Sequence, residues 1–225
     1  MEALVYDVHG NLPALEAVIA DAGDVRLYIL GGDYALFGGW PKETIERLQA
    51  LHDAIWIRGN GERWTAKPGD APDNPVVPGA IEAARAALGP QIVADLGALP
   101  TSAARADTLI CHGSPRSDVR SFLPSPADDE PELLDGVTAS RLIFGHTHLP
   151  FRREAGGIEL INPGSVGMPF DGDVRAAYAL VHDDGAVEHR RVTYDHEASA
   201  ARVRSFDAPW AEVVAERILR ARADA

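Results

Sequence analysis

Five short apolar runs in this chain break off in the same manner, into Asp, Asn or His beside a glycine. ALVY leads to Asp7, LYIL to Gly31-Gly32-Asp33, AIWI to Arg58-Gly59-Asn60, TLIC to His112-Gly113, and RLIF to Gly145-His146-Thr147-His148. Continuous apolar runs suit strands buried on both faces. The rim at the ends of such strands is where α/β sheets place their binding crevices. The repeated ending therefore predicts a layered α/β chain with a polar site gathered at strand ends.

The segments between the early runs are helical in pattern. Leu12 to Ala22 has Pro13 near its start, Leu15, Val18 and Ile19 at helical spacing, and Gly23 at its end; Pro41 to Leu51 repeats the design with Ile45, Leu48 and Leu51. Ala66 to Gly79 is rich in Pro, Gly and Asp and reads as a loop, followed by a helix from about Ala80 to Leu88; Ser114 to Pro131 reads as a second loop. Both loops leave strand ends and are placed to overhang a site there. After Pro150 the pattern changes to hairpins, turning at Gly156-Gly157 and around Asp184-Gly185, which suggests a second, antiparallel sheet. An amphipathic helix is expected from about Ala208 to Ala221. The whole of 1–225 is expected to form one domain, with an insertion at about 62–100 near the site.

Composition narrows the function. Charged residues make up 24% and hydrophobic residues 46% of the 225, enough for one substantial core. The net charge of −13 argues against a protein that coats long nucleic acids, which needs basic surface, but not against a small phosphate-bearing substrate. No apolar run approaches the roughly 20 residues that cross a bilayer, and Glu2, Asp7 and His9 interrupt any apolar leader, so a cytoplasmic protein without a membrane partner is expected. Cys111, the lone cysteine, reads as a small buried apolar residue.

Side chains two apart in an extended segment point the same way, so Asp7 with His9, and His146 with His148, can each aim at one point. Asp33, Asn60 and His112 add single donors at other strand ends. Seven donors are too many for one small cation and suit two. A carboxylate and imidazole set without thiolate suits manganese, iron, zinc or a related divalent ion such as nickel over a cysteine-rich structural zinc site and does not choose among them, manganese being the first expectation. Two such ions about 3.5–4 Å apart can share a hydroxide and polarise a phosphoryl oxygen.

The order Asp-x-His-Gly-Asn, Gly-Asp, Gly-Asn, His-Gly and Gly-His-Thr-His, with Asn162-Pro-Gly-Ser-Val-Gly167 after it, resembles the calcineurin-like metallophosphoesterase superfamily, especially its small YfcE-like phosphodiesterase branch. The resemblance implies a four-layer αββα sandwich of two facing mixed sheets flanked by helices. It implies that one metal takes Asp7, His9, Asp33 and His148, that the other takes Asp33, Asn60, His112 and His146, and that Asp33 bridges. Asp33, Asn60 and His112 are the expected catalytic members. The implied reaction is attack of a metal-activated hydroxide on a small or nucleotide-like phosphodiester. Many relatives place a histidine after Gly-Asn to assist the leaving group, whereas this chain has Gly61 and then Glu62, which favours leaving groups that depart easily. The alternatives are a non-catalytic scaffold of the same fold and a nuclease; a homo-oligomer is left open.

Several residues are assigned by proximity alone. Arg58 and Arg116 are the cations nearest the motifs and are candidates for gripping phosphate. Trp40, Trp64, Tyr34 and Phe122 are read as packing residues ahead of substrate contacts, and Asn162 to Gly167 as a structural turn. His52, His182, His189 and His196 lack the flanking pattern and are read as ordinary. Metal affinity is expected to fall on acidification as the ligand histidines titrate, near about 6.5 if unperturbed.

Overall fold

The computed structural model describes residues 1–224. Ten strands form two five-stranded mixed sheets. The first holds β1 (Glu2–Val5), β2 (Leu27–Leu30), β3 (Ala54–Trp56), β9 (Ala176–Val181) and β10 (Val187–Val192), in the order β10-β9-β1-β2-β3. The second holds β4 (Ser102–Arg105), β5 (Thr108–Cys111), β6 (Arg141–Ile143), β7 (Phe151–Ala155) and β8 (Ile158–Asn162), in the order β4-β5-β6-β8-β7. Three strands run parallel in each sheet, β1-β2-β3 along one side of the first and β5-β6-β8 at the centre of the second, and antiparallel strands complete both.

The sheets face one another through Leu4, Tyr6, Ile29, Ile57, Ile110, Ile143, Ile161 and Ala179. Alternate residues of the same strands, Ala3, Val5 and Leu30, pack outward on Leu15 and Val18 of α1 (Leu12–Ala22) and Ile45 and Leu48 of α2 (Pro41–Gln49). Burial on both faces is why these strands read as unbroken apolar runs. The outer layer on the second sheet is thinner: the single turn α5 (Glu130–Leu133) and the irregular segment before it supply Leu133 and Phe122 against Leu142, Phe144 and Leu160.

The remaining helices cluster at one flank. After α3 (Asn60–Ala66) comes α4 (Val77–Gly97), which is two helical pieces joined at Gly89, whose φ of +74° breaks the spiral just before Pro90. The expected helix ended at Leu88, the last residue before that break. Ile81 and Ala84 of α4 pack on Val203 of α6 (His196–Arg204) and on Trp210, Val214 and Ile218 of α7 (Pro209–Arg220). Helix α6 went unread in the sequence although Asp195 caps it, its side chain accepting the Ala198 N–H at 2.9 Å. No described helix is long and apolar enough to cross a membrane.

The two hairpins do not form a sheet of their own. The β9-β10 hairpin joins the first sheet, with Glu2 opposite Val181, while β8 pairs in parallel with β6 in the second, with Ile143 opposite Ile161. Alternation identifies a hairpin but not the strand edge that will accept it, because backbone hydrogen bonds carry no side-chain information.

Candidate metal centre

Register gathers the polar strand ends. Val5 lies opposite Leu30 and Leu30 opposite Trp56, so the segments carrying Asp7, Asp33 and Asn60 leave the first sheet at one level. Ile110 lies opposite Ile143, so His112 and the His146–His148 segment leave the second sheet together. The ladders continue past the strands: the His9 N–H donates to the Asp33 carbonyl at 2.9 Å, and the Gly145 N–H to the His112 carbonyl at 2.7 Å. Asp7, His9, Asp33, His146 and His148 all have φ between +50° and +68°. The left-handed region is uncommon for non-glycine residues, and such backbone concentrates at functional sites. It turns these side chains inward together.

All seven candidate ligands converge. His148 Nε2 lies 3.0 Å from His9 Nε2 and 3.6 Å from Asp7 Oδ1. His112 Nε2 lies 3.6 Å from Asp33 Oδ1 and 3.9 Å from Asp7 Oδ1, and the other Asp33 oxygen is 3.9 Å from His9 Nε2. One Asp7 oxygen and both Asp33 oxygens thus stand between the His9–His148 pair and His112. Two compact donor groups result, Asp7-His9-His148 and Asp7-Asp33-His112. Asn60 lies 2.9 Å from His112 Nε2, and its amide reaches His146 Nδ1 at 2.8 Å when the nitrogen is turned inward.

The donor chemistry fits cations. His9, His112 and His148 each direct Nδ1 at a backbone carbonyl, those of Leu36, Gly31 and Met168, at 3.0, 2.8 and 2.6 Å. A carbonyl can only accept, so each Nδ1 carries the proton and each Nε2 presents a lone pair to the centre. Two such lone pairs face each other across the 3.0 Å between His9 and His148, and a cation between them turns that repulsion into ligation. Asp7 Oδ1 is fully buried and has no hydrogen-bond partner among the described residues.

Burial sets the protonation states. It lowers the His9 imidazole to about 3 and His146 to about 4, and holds His148 well below its ordinary value, with the nearby His9 as a second cause. All three are neutral near pH 7 and ready to ligate. Burial pushes the Asp7 carboxyl up to about 8, and raises Asp33 well above the carboxylate range, with the charge of Glu62 adding to the effect.

The surrounding shell includes residues the sequence reading passed over. Glu62 is 3% exposed and accepts the N–H groups of Asp33, Tyr34 and Gly59, each at 2.8 Å. A Glu at the third position of a helix was its signal. Phe37, with φ +79°, stands 5.7 Å from the His9 ring, and Phe170 stacks on His148 at 4.4 Å. The Asn162–Gly167 turn is structural: the Val166 and Gly167 N–H groups and the Ser165 hydroxyl hold the backbone carbonyls of Tyr6 and Asp7. Tyr34 and Phe122 are fully buried, Tyr34 donating to backbone carbonyls, while Trp64 packs on the helical flank and Trp40 lies beneath Arg202. His52, His182 and His189 bond to Val25, Glu188 and Asn162, away from the centre.

The fold has a known counterpart, because residues 2–185 match the profile of the calcineurin-like phosphoesterase superfamily domain. The chain belongs to that superfamily. It is 29% identical over 190 residues to the phosphodiesterase YfcE of Escherichia coli, covering 79% of this chain and 85% of that protein. It is 28% identical over 221 residues to an uncharacterised protein of Methanocaldococcus jannaschii, covering 87% and 88%. A metallophosphoesterase from Sphaerobacter thermophilus has a TM-score of 0.83 at 29% identity over 98% of both chains. A hypothetical protein from Pyrococcus horikoshii, at 21% identity and a TM-score of 0.85 over 99% of this chain and all of the other, shares the fold. The calcineurin-like domain here is a phosphoesterase with candidate ligands for divalent metal.

Proposed function

We propose that this calcineurin-like phosphoesterase is a dinuclear phosphodiesterase for small, nucleotide-like esters, with Asp7, His9, Asp33 and His148 holding one ion and Asp33, Asn60, His112 and His146 the other. The observation that carries the reading is the inward lone pair on His9, His112 and His148, with Asp7 and Asp33 between them. Manganese is taken as the test ion; a set of nitrogen and oxygen donors suits iron, zinc and nickel as well. When bound, the two ions supply Lewis acidity that acidifies a water and polarises a phosphoryl oxygen. The likeness to a protein named as a phosphodiesterase supports a diester over a monoester.

The residues beside the ligands define the leaving group. Gly61 offers only its N–H, which donates to Asp33 Oδ1 at 2.7 Å, and a Cβ there would lie 2.8 Å from the same oxygen. The Glu62 carboxylate is engaged by three backbone donors. Neither residue delivers a proton to a departing oxygen, so esters of acidic alcohols or phosphates are favoured over alkyl esters. The test is hydrolysis of bis(4-nitrophenyl) phosphate in manganese by Asp33→Asn. A loss of at least about 100-fold with an unchanged fold is expected, as for disrupted metal shells. Turnover within a few-fold of the parent refutes the assignment.

A further inference from the structure

Beside His112 opens a cleft of about 470 Å³, whose wall also carries Arg58, Arg63, Ser114, Arg116 and Asp118. It adjoins the metal centre directly, since the Asp118 carbonyl lies 3.0 Å from the inward-turned Asn60 amide nitrogen. Three guanidinium groups at one cleft are unusual surroundings in a chain of net charge −13. They are not equivalent.

Arg63 is neutralised by a two-pronged pair with Asp118, Nε to Oδ2 at 2.6 Å and Nη2 to Oδ1 at 2.7 Å. Arg116 is exposed and bound to Asp135, at 2.6 Å to the carboxylate and 2.7 Å to the carbonyl. Arg58 has neither arrangement. Its Nη1 donates to the Gly97 carbonyl at 3.0 Å, its Nε is buried without a partner, and no carboxylate pairs with it among the described residues. Its main chain is fixed two residues before Asn60 by a 2.7 Å bond from the Arg58 N–H to the Pro100 carbonyl. The buried Nε is closed to the cleft, so Arg58 meets it through its outer guanidinium nitrogens, a fork of donors that matches phosphate oxygens.

We propose that Arg58 receives a second phosphate group carried by the substrate, so that the preferred esters are phosphodiesters bearing a further phosphomonoester. This rests on the phosphodiesterase reading above and adds the residue that selects within that class. The cleft is of a size that admits a nucleotide portion. Arg116 and Arg63, already paired with carboxylates, are the weaker contributors.

The test compares two 4-nitrophenyl esters of thymidine 5′-phosphate, one with a free 3′-hydroxyl and one with a 3′-phosphate. The ratio of their kcat/KM values is independent of the amount of active protein. The parent chain is expected to favour the 3′-phosphorylated ester by about 10-fold or more, the scale of a charge-assisted contact, and Arg58→Ala to bring the ratio close to unity. Arg58→Lys, which keeps the charge and loses the fork, is expected to fall between them and serves as the variant should the alanine chain not fold. A parent ratio near unity, or an unchanged ratio in the variants, overturns the assignment. If the parent hydrolyses neither ester, the phosphodiesterase reading fails on its own; equilibrium dialysis of thymidine 3′,5′-bisphosphate then decides Arg58, with equal binding by parent and variant overturning it.

Discussion

Glu62 Oε2 accepts the Asp33 N–H and the Gly59 N–H, both at 2.8 Å, and so ties the Asp33 strand end to the first turn of α3. Its other oxygen takes the Tyr34 N–H at 2.8 Å. One carboxylate thereby fixes the left-handed turn that aims Asp33 at the centre.

Glu62→Ala leaves three buried N–H groups without acceptors, at about 1–3 kcal/mol each, and is expected to destabilise the fold by about 3 kcal/mol or more and to weaken manganese binding about 10–100-fold. Urea unfolding and a metal titration measure the two effects. Parental metal affinity in the variant would show that the Asp33 turn holds itself.

The metal-free chain has a defined pH response. Folded Asp7 keeps its proton to about 8, while an unfolded Asp releases it near about 3.9, so folded stability declines as pH rises across that interval. His9 and His146, lowered to about 3 and about 4, and His148, lowered by burial, oppose this by adding stability as pH rises, an effect half spent at the unfolded value of about 6.5 and complete about one unit above it. From about 6.5 upward the falling trend of Asp7, which the raised Asp33 shares, outweighs what is left of the histidine rise. Chemical denaturation in chelator is expected to show falling stability over that range, and saturating manganese to remove the slope. A rise over the same range in chelator contradicts the assignment.

Metal affinity is also expected to fall on acidification from about pH 8, because cations must displace carboxyl protons. The direction agrees with the expectation from the sequence, but burial moves the competing proton from the imidazoles to Asp7. Calorimetric titrations at pH 6.5, 7.2 and 8 in buffers of different ionisation enthalpy report the protons released. No release at any of these values would count against a protonated Asp7.

Gly59 adjoins Asp33 so closely that an added Cβ would stand 2.2 Å from Asp33 Oδ1. Gly59→Ala is expected to cost about 1–3 kcal/mol through overpacking and to displace the carboxylate from its place between His9 and His112. Thermal melting and hydrolysis of bis(4-nitrophenyl) phosphate are the readouts, and parental values for both would refute the packing argument.

Cys111 is 1% exposed, and burial pushes its thiol above the ordinary cysteine range. Ellman's reagent is expected to leave the folded chain unlabelled and to label one thiol in denaturant. Rapid labelling under native conditions would show that the strand end opens.

Much of the candidate site was legible because its polar side chains follow strands. Asp7, Asp33, Asn60 and His112 each stand just after an apolar run, and parallel pairing aligns such ends without any long-range information. Glu62 was less legible, since its partners at Asp33 and Tyr34 lie 29 and 28 residues away and meet it only through the fold. Phe37 and Phe170 carry no flanking signal at all. Arg58 and Arg116 looked alike in sequence; Asp135, which pairs with Arg116, and the partial burial of Arg58 against the Gly97 carbonyl separate them.

The order and spacing of residues by themselves determined the strand ends and the superfamily, and marked the candidate donors, because strand period and apolar patterning are local properties of the chain. Tertiary structure alone decided which sheet each hairpin joined, which histidine nitrogens turned inward and which arginine of the cleft lacks a carboxylate partner among the described residues. Those outcomes depend on carbonyls and carboxylates brought from distant segments, as the Met168 carbonyl is to His148, 20 residues away, and on burial that moves Asp7 and His9 in opposite directions.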